Sequence, residues 1–398
     1  MRTVNIIPSK SDAHRALICG ALSEITSGKV CKVVCEQTSN DIEATKKCLS
    51  ALREGEKELH CGESGSTLRF LLPVVAALGG GVDFYPEGRL PERPLSPLYE
   101  ELLRHGCRLS PQGTIPFSVE GQLQPGTYRI PGNVSSQYIS GLLFALPLLE
   151  GDSRIVIEGR LESESYVDMT IKTLAAFGIK IEPAEEGYAV LGGQKYRSDS
   201  AYIVEGDWSN GCFWLGAGAL LEDGICVTGL SLDSLQGDKA ILNLLKSFGA
   251  KVKISEEGII VKGGKLQGID IDAAQIPDMV PILAVLACRA DGRTRIYNAG
   301  RLRIKESDRL ATVSTVLQGL GAEIEEGEDG LVIQGKGRLT GGHAEGFNDH
   351  RIVMMASVAS LICEEDVILT GSHAVNKSYP DFFRVLEELG LNYRLERK

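Results

Sequence analysis

Leu245-Lys246-Ser247-Phe248-Gly249, followed by the strand-like run Gly258-Ile259-Ile260-Val261-Lys262, decides the fold because its phrase recurs. An amphipathic helix end closed by glycine also appears at Leu102-Leu103-Arg104-His105-Gly106, Leu174-Ala175-Ala176-Phe177-Gly178, Leu317-Gln318-Gly319-Leu320-Gly321 and Leu386-Glu387-Glu388-Leu389-Gly390. The intervals between these glycines are 72, 71, 72 and 69 residues, and Gly55 after Leu49 to Arg53 reads as a shorter first copy. A fixed period of this length marks an internal repeat, and each glycine suits the left-handed position that ends a helix.

A second phrase keeps the same beat: a polar knot that opens an Ala- and Leu-rich helix. With Lys10, Gly65, Ser136, Ser209, Asp278 and Asp349 as markers, the intervals are 55, 71, 73, 69 and 71 residues. Six units therefore tile the chain, each with short strands such as Tyr128-Arg129-Ile130 or Arg154-Ile155-Val156-Ile157 and two helices. The class is α/β, with repeated βαβαββ-like units. The helix after each knot is apolar all round, as from Ile139 to Leu149 or Met279 to Ala290, a pattern expected of helices buried at the centre of a domain. A break near Glu205-Gly206-Asp207 divides the chain into units one to three and four to six, which predicts two domains; their expected bounds are residues 9–205, and residues 1–8 with 206–398. If the helix starts of both domains face a common cleft, their free N–H groups form a site that attracts anions.

At 398 residues, the chain is too long for one ordinary core, which agrees with two domains. Its 43% hydrophobic and 24% charged residues are typical of a globular protein. A formal charge of −11 disfavours nucleic acid or an anionic membrane as the main partner, but a local basic cleft can still hold a small anion. The ten cysteines are scattered, with no Cys-x-x-Cys pair and no Cys/His cluster at zinc spacing, so neither a disulfide framework nor a metal site is expected. Met1 to Ile7 is far shorter than a signal peptide or a membrane span, which predicts a cytoplasmic protein.

Cations at a helix N-terminus oppose its dipole by about 0.3–1 kcal/mol, so chance favours Asp and Glu there. This chain often does the reverse. Lys10 and Arg15 follow Pro8-Ser9, Arg69 follows Gly65-Ser66-Thr67, Arg351 follows Asn348-Asp349-His350, and Lys377 precedes Ser378-Tyr379-Pro380-Asp381. Ser11 and Arg15 lie four apart and share a helical face, as do Lys305 and Arg309, which flank Glu306-Ser307-Asp308, so these side chains can converge on one ligand. Such forks and point charges suit a small ligand bearing several negative charges. No Gly-x-x-x-x-Gly-Lys-Ser/Thr loop, no Gly-x-Gly-x-x-Gly turn and no Gly-x-Ser-x-Gly elbow is present, so nucleotide binding and acyl-enzyme chemistry lack support.

Taken in order, Pro8-Ser9-Lys10-Ser11-Asp12-Ala13-His14-Arg15-Ala16, Gly65-Ser66-Thr67-Leu68-Arg69, Glu92-Arg93-Pro94, Val134-Ser135-Ser136-Gln137, Ile276-Pro277-Asp278, Lys305-Glu306-Ser307-Asp308-Arg309, Asn348-Asp349-His350-Arg351 and Lys377-Ser378-Tyr379-Pro380-Asp381 resemble the 5-enolpyruvylshikimate-3-phosphate synthase family over the whole chain. The resemblance implies two domains, each an inside-out α/β barrel of three units, with the active site in the cleft between them. It implies that Lys10, Ser11, Arg15, Ser135, Ser136, Gln137, Ser163, Asp278 and Lys305 hold shikimate 3-phosphate. Lys10, Gly65, Arg93, Gln137, Arg309, Arg351 and Lys377 would surround phosphoenolpyruvate. Asp278 would be the base for the attacking 5-hydroxyl, with Glu306 and Lys10 handling the methylene proton. No metal or organic cofactor is implied, the partners are these two small molecules, and a monomer is the family expectation.

Two positions depart from the family pattern: Glu63 and Arg301 stand where the family often has Asn. The sister enzyme acting on UDP-N-acetylglucosamine carries a Cys at the position of Gly88, and the loop Glu87 to Glu92 has no thiol here. A non-catalytic anion-binding protein would keep the cations but has no need of both Asp278 and Glu306.

Overall fold

The computed structural model describes all 398 residues, which separate into two compact units: Lys10–Val204, and Met1–Ser9 with Glu205–Lys398. Their twelve helices are, in chain order, α1 (Lys10–Ser27), α2 (Asn40–Glu54), α3 (Gly65–Ala77), α4 (Leu98–Arg104), α5 (Ser136–Ala145), α6 (Glu164–Ala176), α7 (Trp208–Leu220), α8 (Ile241–Phe248), α9 (Val280–Arg289), α10 (Arg309–Gly319), α11 (His350–Ala359) and α12 (Phe382–Glu388). The odd-numbered helices open at or next to the polar knots. The even-numbered ones run into the recurrent glycines, whose φ values are all positive, from 65° at Gly390 to 99° at Gly249. A residue with a Cβ would be strained at these turns.

The burial pattern follows the division. In α7 every residue from Trp208 to Ala219 is buried, in α9 every residue from Val280 to Cys288, and in α11 the whole helix. Helix α8, by contrast, buries only Ile241, Leu242, Leu245 and Phe248, the stripe expected of a helix with one wet face. The odd helices pack on one another within each unit: α3 on α5, and α7, α9 and α11 mutually. Each unit has its own apolar core, with Trp208, Trp214 and Tyr379 in one and Phe70, Phe144 and Tyr196 among the largest buried side chains of the other.

The sheets lie in the same repeat. Thr127–Pro131 and Ser153–Glu158 pair in parallel around α5, and the hairpin Ile181–Ala184/Gly187–Val190 adds to Ser153–Glu158 in antiparallel fashion. Glu58–Gly62, Val82–Pro86, Arg108–Leu109 and Phe117–Glu120 form a second such sheet, and Asp270–Asp272, Arg293–Tyr297, Glu323–Glu326 and Leu331–Gln334 a third. One sheet takes its outer strand from far away in the chain: Arg2–Asn5 lies parallel to Ile225–Thr228, beside the hairpin Lys251–Ser255/Gly258–Lys262. Within Lys10–Val204, Tyr202–Ile203 pairs in parallel with Val33–Val34. The two chain crossings between the units are laced together, with the Ser9 amide donating to Glu205 O (2.7 Å) and the Asp207 amide to Ile7 O (2.9 Å). All ten cysteines are free thiols, and no helix is long and apolar enough to cross a membrane.

Candidate active site

In the unit Lys10–Val204, the candidate residues gather at the starts of α1, α3, α5 and α6. Lys10, the first residue of α1, donates to Asp41 on α2 (2.8 Å). Arg15, one turn further, is almost wholly buried and gives three of its five donors to protein acceptors: Thr170 Oγ1 (2.8 Å), Ser11 O (2.6 Å) and Tyr166 O (2.8 Å). Burial lowers its pKa to about 10 despite nearby Asp12, yet it stays a cation at neutral pH. Ser135 caps α5, Ser136 opens it, and Gln137 bridges two elements, accepting from Arg69 Nη1 (3.0 Å) and donating to Ser66 (2.9 Å).

Gly65 opens α3 where two guanidinium groups crowd it. A Cβ there would stand 2.7 Å from Arg93 Nη1 and 2.8 Å from Arg69 Nη1, so the absence of a side chain lets both forks approach the helix start. The Nε of Arg93 is buried without a hydrogen-bond partner. Arg69 is buried, held by Gln137 and by Pro94 O (3.2 Å), and lies over the Tyr138 ring. The sequence marks Arg69 only as a cation near a helix start; the structure puts it in the same cluster as Gly65, Arg93 and Gln137. Ser163, at the start of α6, has φ 53°, a left-handed conformation unusual for serine and of the kind that strained functional positions adopt.

In the other unit, Arg309 organises the cluster. It opens α10 behind the N-cap Asp308, is only 1% exposed at the side chain, and reaches three carboxylates. Its Nη1 donates to Asp278 (2.7 Å), its Nη2 to Glu306 (2.5 Å), and its Nε to Asp349 (2.8 Å). Burial alone would lower the Arg309 pKa, but Asp349, Glu306 and Asp278 outweigh it and leave the group more basic than usual. Asp278 also faces Lys305 (3.5 Å) and Arg351 (4.0 Å). Burial would raise the Asp278 pKa, but Lys305, Arg351 and Arg309 together hold it well below the usual carboxylate range. Asp278 sits in the 3-10 turn Pro277–Met279, just ahead of α9, where its carboxylate meets the three cations.

Lys305 and Arg309 do not share one helical face. A 3-10 turn, Gly300–Ile304, ends before Lys305, and α10 begins only at Arg309, because Asp308 turns back to accept from the Ala311 amide (3.1 Å). The two cations meet through Asp278 instead. Lys305 is less basic than an ordinary lysine, through burial and despite Asp278, with Arg309 and Arg301 adding to the depression. Arg301 donates to Ala274 O (3.0 Å) from within that turn.

Asp349 is the fully buried hub on the far side of Arg309. It caps α11 through the Arg351 amide (2.9 Å) and accepts from Ser307 (3.0 Å). Arg351 donates to Ser209 O (2.9 Å), and its Nε is buried without a partner. Lys377 donates to Asn348 O (2.6 Å), and Phe347 and Asn348, at φ 48° and 51°, bend the chain ahead of Asp349. Two acids escape the sequence reading of the site. Asp349 reads there only as a repeat marker, and Asp238, in Gln236-Gly237-Asp238, belongs to neither repeated phrase. Asp238 is fully buried and accepts from Ser209 Oγ. Burial first, then Asp278, raises its pKa to about 6 against the opposing pull of Arg351.

Known proteins are similar to this chain along nearly its whole length. A likeness in fold alone is seen with a solved EPSP synthase from Acinetobacter baumannii, at TM-score 0.76 and 24% identity over 98% of this chain and 95% of that one. Two curated relatives named 3-phosphoshikimate 1-carboxyvinyltransferase, from Clostridium novyi (strain NT) and Clostridium acetobutylicum, are 42% and 44% identical, each over 97% of this chain and 94% of the relative. The family model described as EPSP synthase (3-phosphoshikimate 1-carboxyvinyltransferase) matches residues 51–386. A match of that extent, with clostridial relatives aligned almost end to end, makes the chain a member of the EPSP synthase family.

Proposed function

We propose that the protein transfers the enolpyruvyl group of phosphoenolpyruvate to the 5-hydroxyl of shikimate 3-phosphate and releases phosphate. The observation that carries this reading is the sharing of one buried guanidinium, Arg309, by the two acids the chemistry requires, Asp278 and Glu306. Asp278 takes the proton of the 5-hydroxyl as its oxygen attacks C2 of phosphoenolpyruvate, while C3 receives a proton from Glu306 or Lys10. The product is a tetrahedral ketal still carrying phosphate. Removal of a proton from C3 and cleavage of the C2–O bond then expel phosphate and restore the double bond.

A carboxylate held ionised by three cations is a weak base. Phosphoenolpyruvate brings several negative charges to Arg309, Arg351 and Lys377, which weakens their hold on Asp278 and raises its basicity once both substrates are bound. Lys10, Ser11, Arg15, Ser135, Ser136, Gln137, Ser163 and Lys305 take shikimate 3-phosphate in this scheme. Gly65, Arg93 and Gln137 complete the phosphoenolpyruvate side with the three cations and Lys10.

The proposal includes the finer architecture: each unit is an inside-out barrel of three βαβαββ-like repeats, and a monomer closes its two units over the substrates. The buried odd-numbered helices and the three-sheet composition of each unit support the first part. Shikimate 3-phosphate and phosphoenolpyruvate together should release inorganic phosphate, and neither alone should. Release with UDP-N-acetylglucosamine in place of shikimate 3-phosphate, or no release with either pair, would defeat the assignment.

A further inference from the structure

A line of buried polar side chains runs through the unit Lys10–Val204 without touching the surface. His14 on α1, Thr45 on α2, and Thr67 and Ser64 at the start of α3 are each 0% exposed. His14 Nδ1 lies 2.7 Å from Thr45 Oγ1, and Thr45 Oγ1 lies 2.6 Å from Thr67 Oγ1. Thr67 Oγ1 in turn donates to Ser64 Oγ (2.7 Å), the oxygen that also accepts from the Thr67 amide (3.3 Å).

The donors along this line are fixed from its far end. Thr67 spends its only hydroxyl proton on Ser64, so Thr45 donates to Thr67, and His14 donates to Thr45 from Nδ1. Nδ1 therefore carries a proton, and in the neutral ring the lone pair lies on Nε2. That atom is buried and has no hydrogen-bond partner. Burial first, then the neighbouring Lys10 and Arg15, holds the His14 pKa well below its ordinary value, which agrees with this protonation state.

Packing alone does not account for such a line. Apolar side chains of similar size would join α1, α2 and α3 without stranding a buried nitrogen, which is itself destabilising. A buried chain of hydrogen bonds instead gives direction, because its donors and acceptors match in only one arrangement of the elements it joins. Its two ends lie where the proposed ligands bind. His14 is one turn from Lys10 and next to Arg15, while Ser64 caps α3 immediately before Gly65.

We propose that His14 is a positioning residue whose relay through Thr45 and Thr67 to Ser64 sets the Ser64-Gly65 turn against the start of α1. The phosphoenolpyruvate side of the site thus takes its geometry from a residue beneath the shikimate 3-phosphate side. The ligand assignment rests on the proposed function; the relay itself does not.

The test uses the full chain with three substitutions. His14→Phe keeps the ring and removes the donor, Thr45→Val breaks the relay with little change of shape, and His14→Asn retains an N–H close to the place of Nδ1. Steady-state kinetics should show KM for phosphoenolpyruvate raised roughly tenfold in His14→Phe and in Thr45→Val, the equivalent of one hydrogen bond. KM for shikimate 3-phosphate should change less than about threefold, the double variant should be no worse than either single one, and His14→Asn should recover most of the loss. Amide hydrogen exchange at Thr67 and Leu68 should quicken about tenfold in the first two variants and return in His14→Asn. Equal rises in both KM values, additive effects in the double variant, or no recovery in His14→Asn would reduce His14 to a space-filling role. Should His14→Phe fail to fold, Thr45→Val carries the same comparison. A wild-type protein that releases no phosphate would defeat the functional reading, and the exchange rates would then decide the relay by themselves.

Discussion

Replacing Arg309 by Met keeps much of the side-chain volume but leaves Asp278, Glu306 and Asp349 without the guanidinium they share. The carboxylate of Asp349 has 0% exposure, so water cannot take over its charge. Removing one partner from a buried pair costs about 3–5 kcal/mol, and three acceptors on one fork put this site at the upper end. That is a large share of the roughly 5–15 kcal/mol that holds a protein folded. The loss can be assigned to one unit, because both tryptophans, Trp208 and Trp214, lie in α7 and their fluorescence in urea reports the unit that contains Arg309.

The pH dependence gives the sharper test. In the wild type, Asp278 is held well below its ordinary pKa, so its contribution is present above about pH 4 and fades on acidification through the depressed value. Without Arg309, the carboxylates gain by taking up protons, and the deficit of the variant should shrink between pH 7 and pH 4.5. Arg309→Lys keeps one charge but cannot reach three carboxylates at once, so it should fall between the two. A deficit below about 1 kcal/mol at pH 7, or one equal at both pH values, would refute the view of Arg309 as the hub.

Asp278→Asn should preserve binding of shikimate 3-phosphate and lower phosphate release by about 10²- to 10⁴-fold, the range of a positioned proton-transfer group; near-wild-type turnover would remove Asp278 from the scheme. Lys377→Met should weaken phosphoenolpyruvate binding by about 2–5 kcal/mol, read by titration in the presence of shikimate 3-phosphate, and unchanged affinity would place Lys377 outside the site. Asp238 has a folded pKa of about 6 against an ordinary 3.8, so it holds its extra proton only in the folded state, and wild-type stability falls as pH rises between these values. Asp238→Asn abolishes that slope, and urea titrations at pH 4.5 and pH 7.5 should show the balance moving towards the variant by at most about 3 kcal/mol; no movement would mean that Asp238 is already ionised.

What was legible in the sequence was what is local. A glycine that ends a helix and a Ser or Asp that caps one act within a few residues, so Gly249 and Asp349 announce their elements directly. The all-apolar runs of α7, α9 and α11 likewise announce burial without reference to what covers them. Residues 1–8 were expected with 206–398, but the partner strand of Arg2–Asn5, Ile225–Thr228, left no such local trace, because a parallel pair between distant segments has no turn to mark it. At the site, cation-rich knots pointed to Arg309, Arg351 and Lys377, since charge at a helix start is anomalous residue by residue. Asp238 and the hub role of Asp349 are set by side chains brought in from other repeats. The error over Lys305 and Arg309 came from applying helical spacing across Asp308, a residue whose type should have signalled that the helix begins after it.

The assembly of one unit from both ends of the chain also sets an order of events on the ribosome. Arg2–Asn5 is made long before Ile225–Thr228 and the hairpin Lys251–Ser255/Gly258–Lys262 that complete its sheet. At about 5–20 residues per second, this strand waits roughly 10–50 s for its partners. The unit Lys10–Val204 needs nothing synthesised after it and can close during that interval. The later unit must then recapture its first strand after the unit Lys10–Val204 has already folded. Until it does, Ile225–Thr228 presents an unpaired edge, the kind of surface on which newly made chains stick to one another.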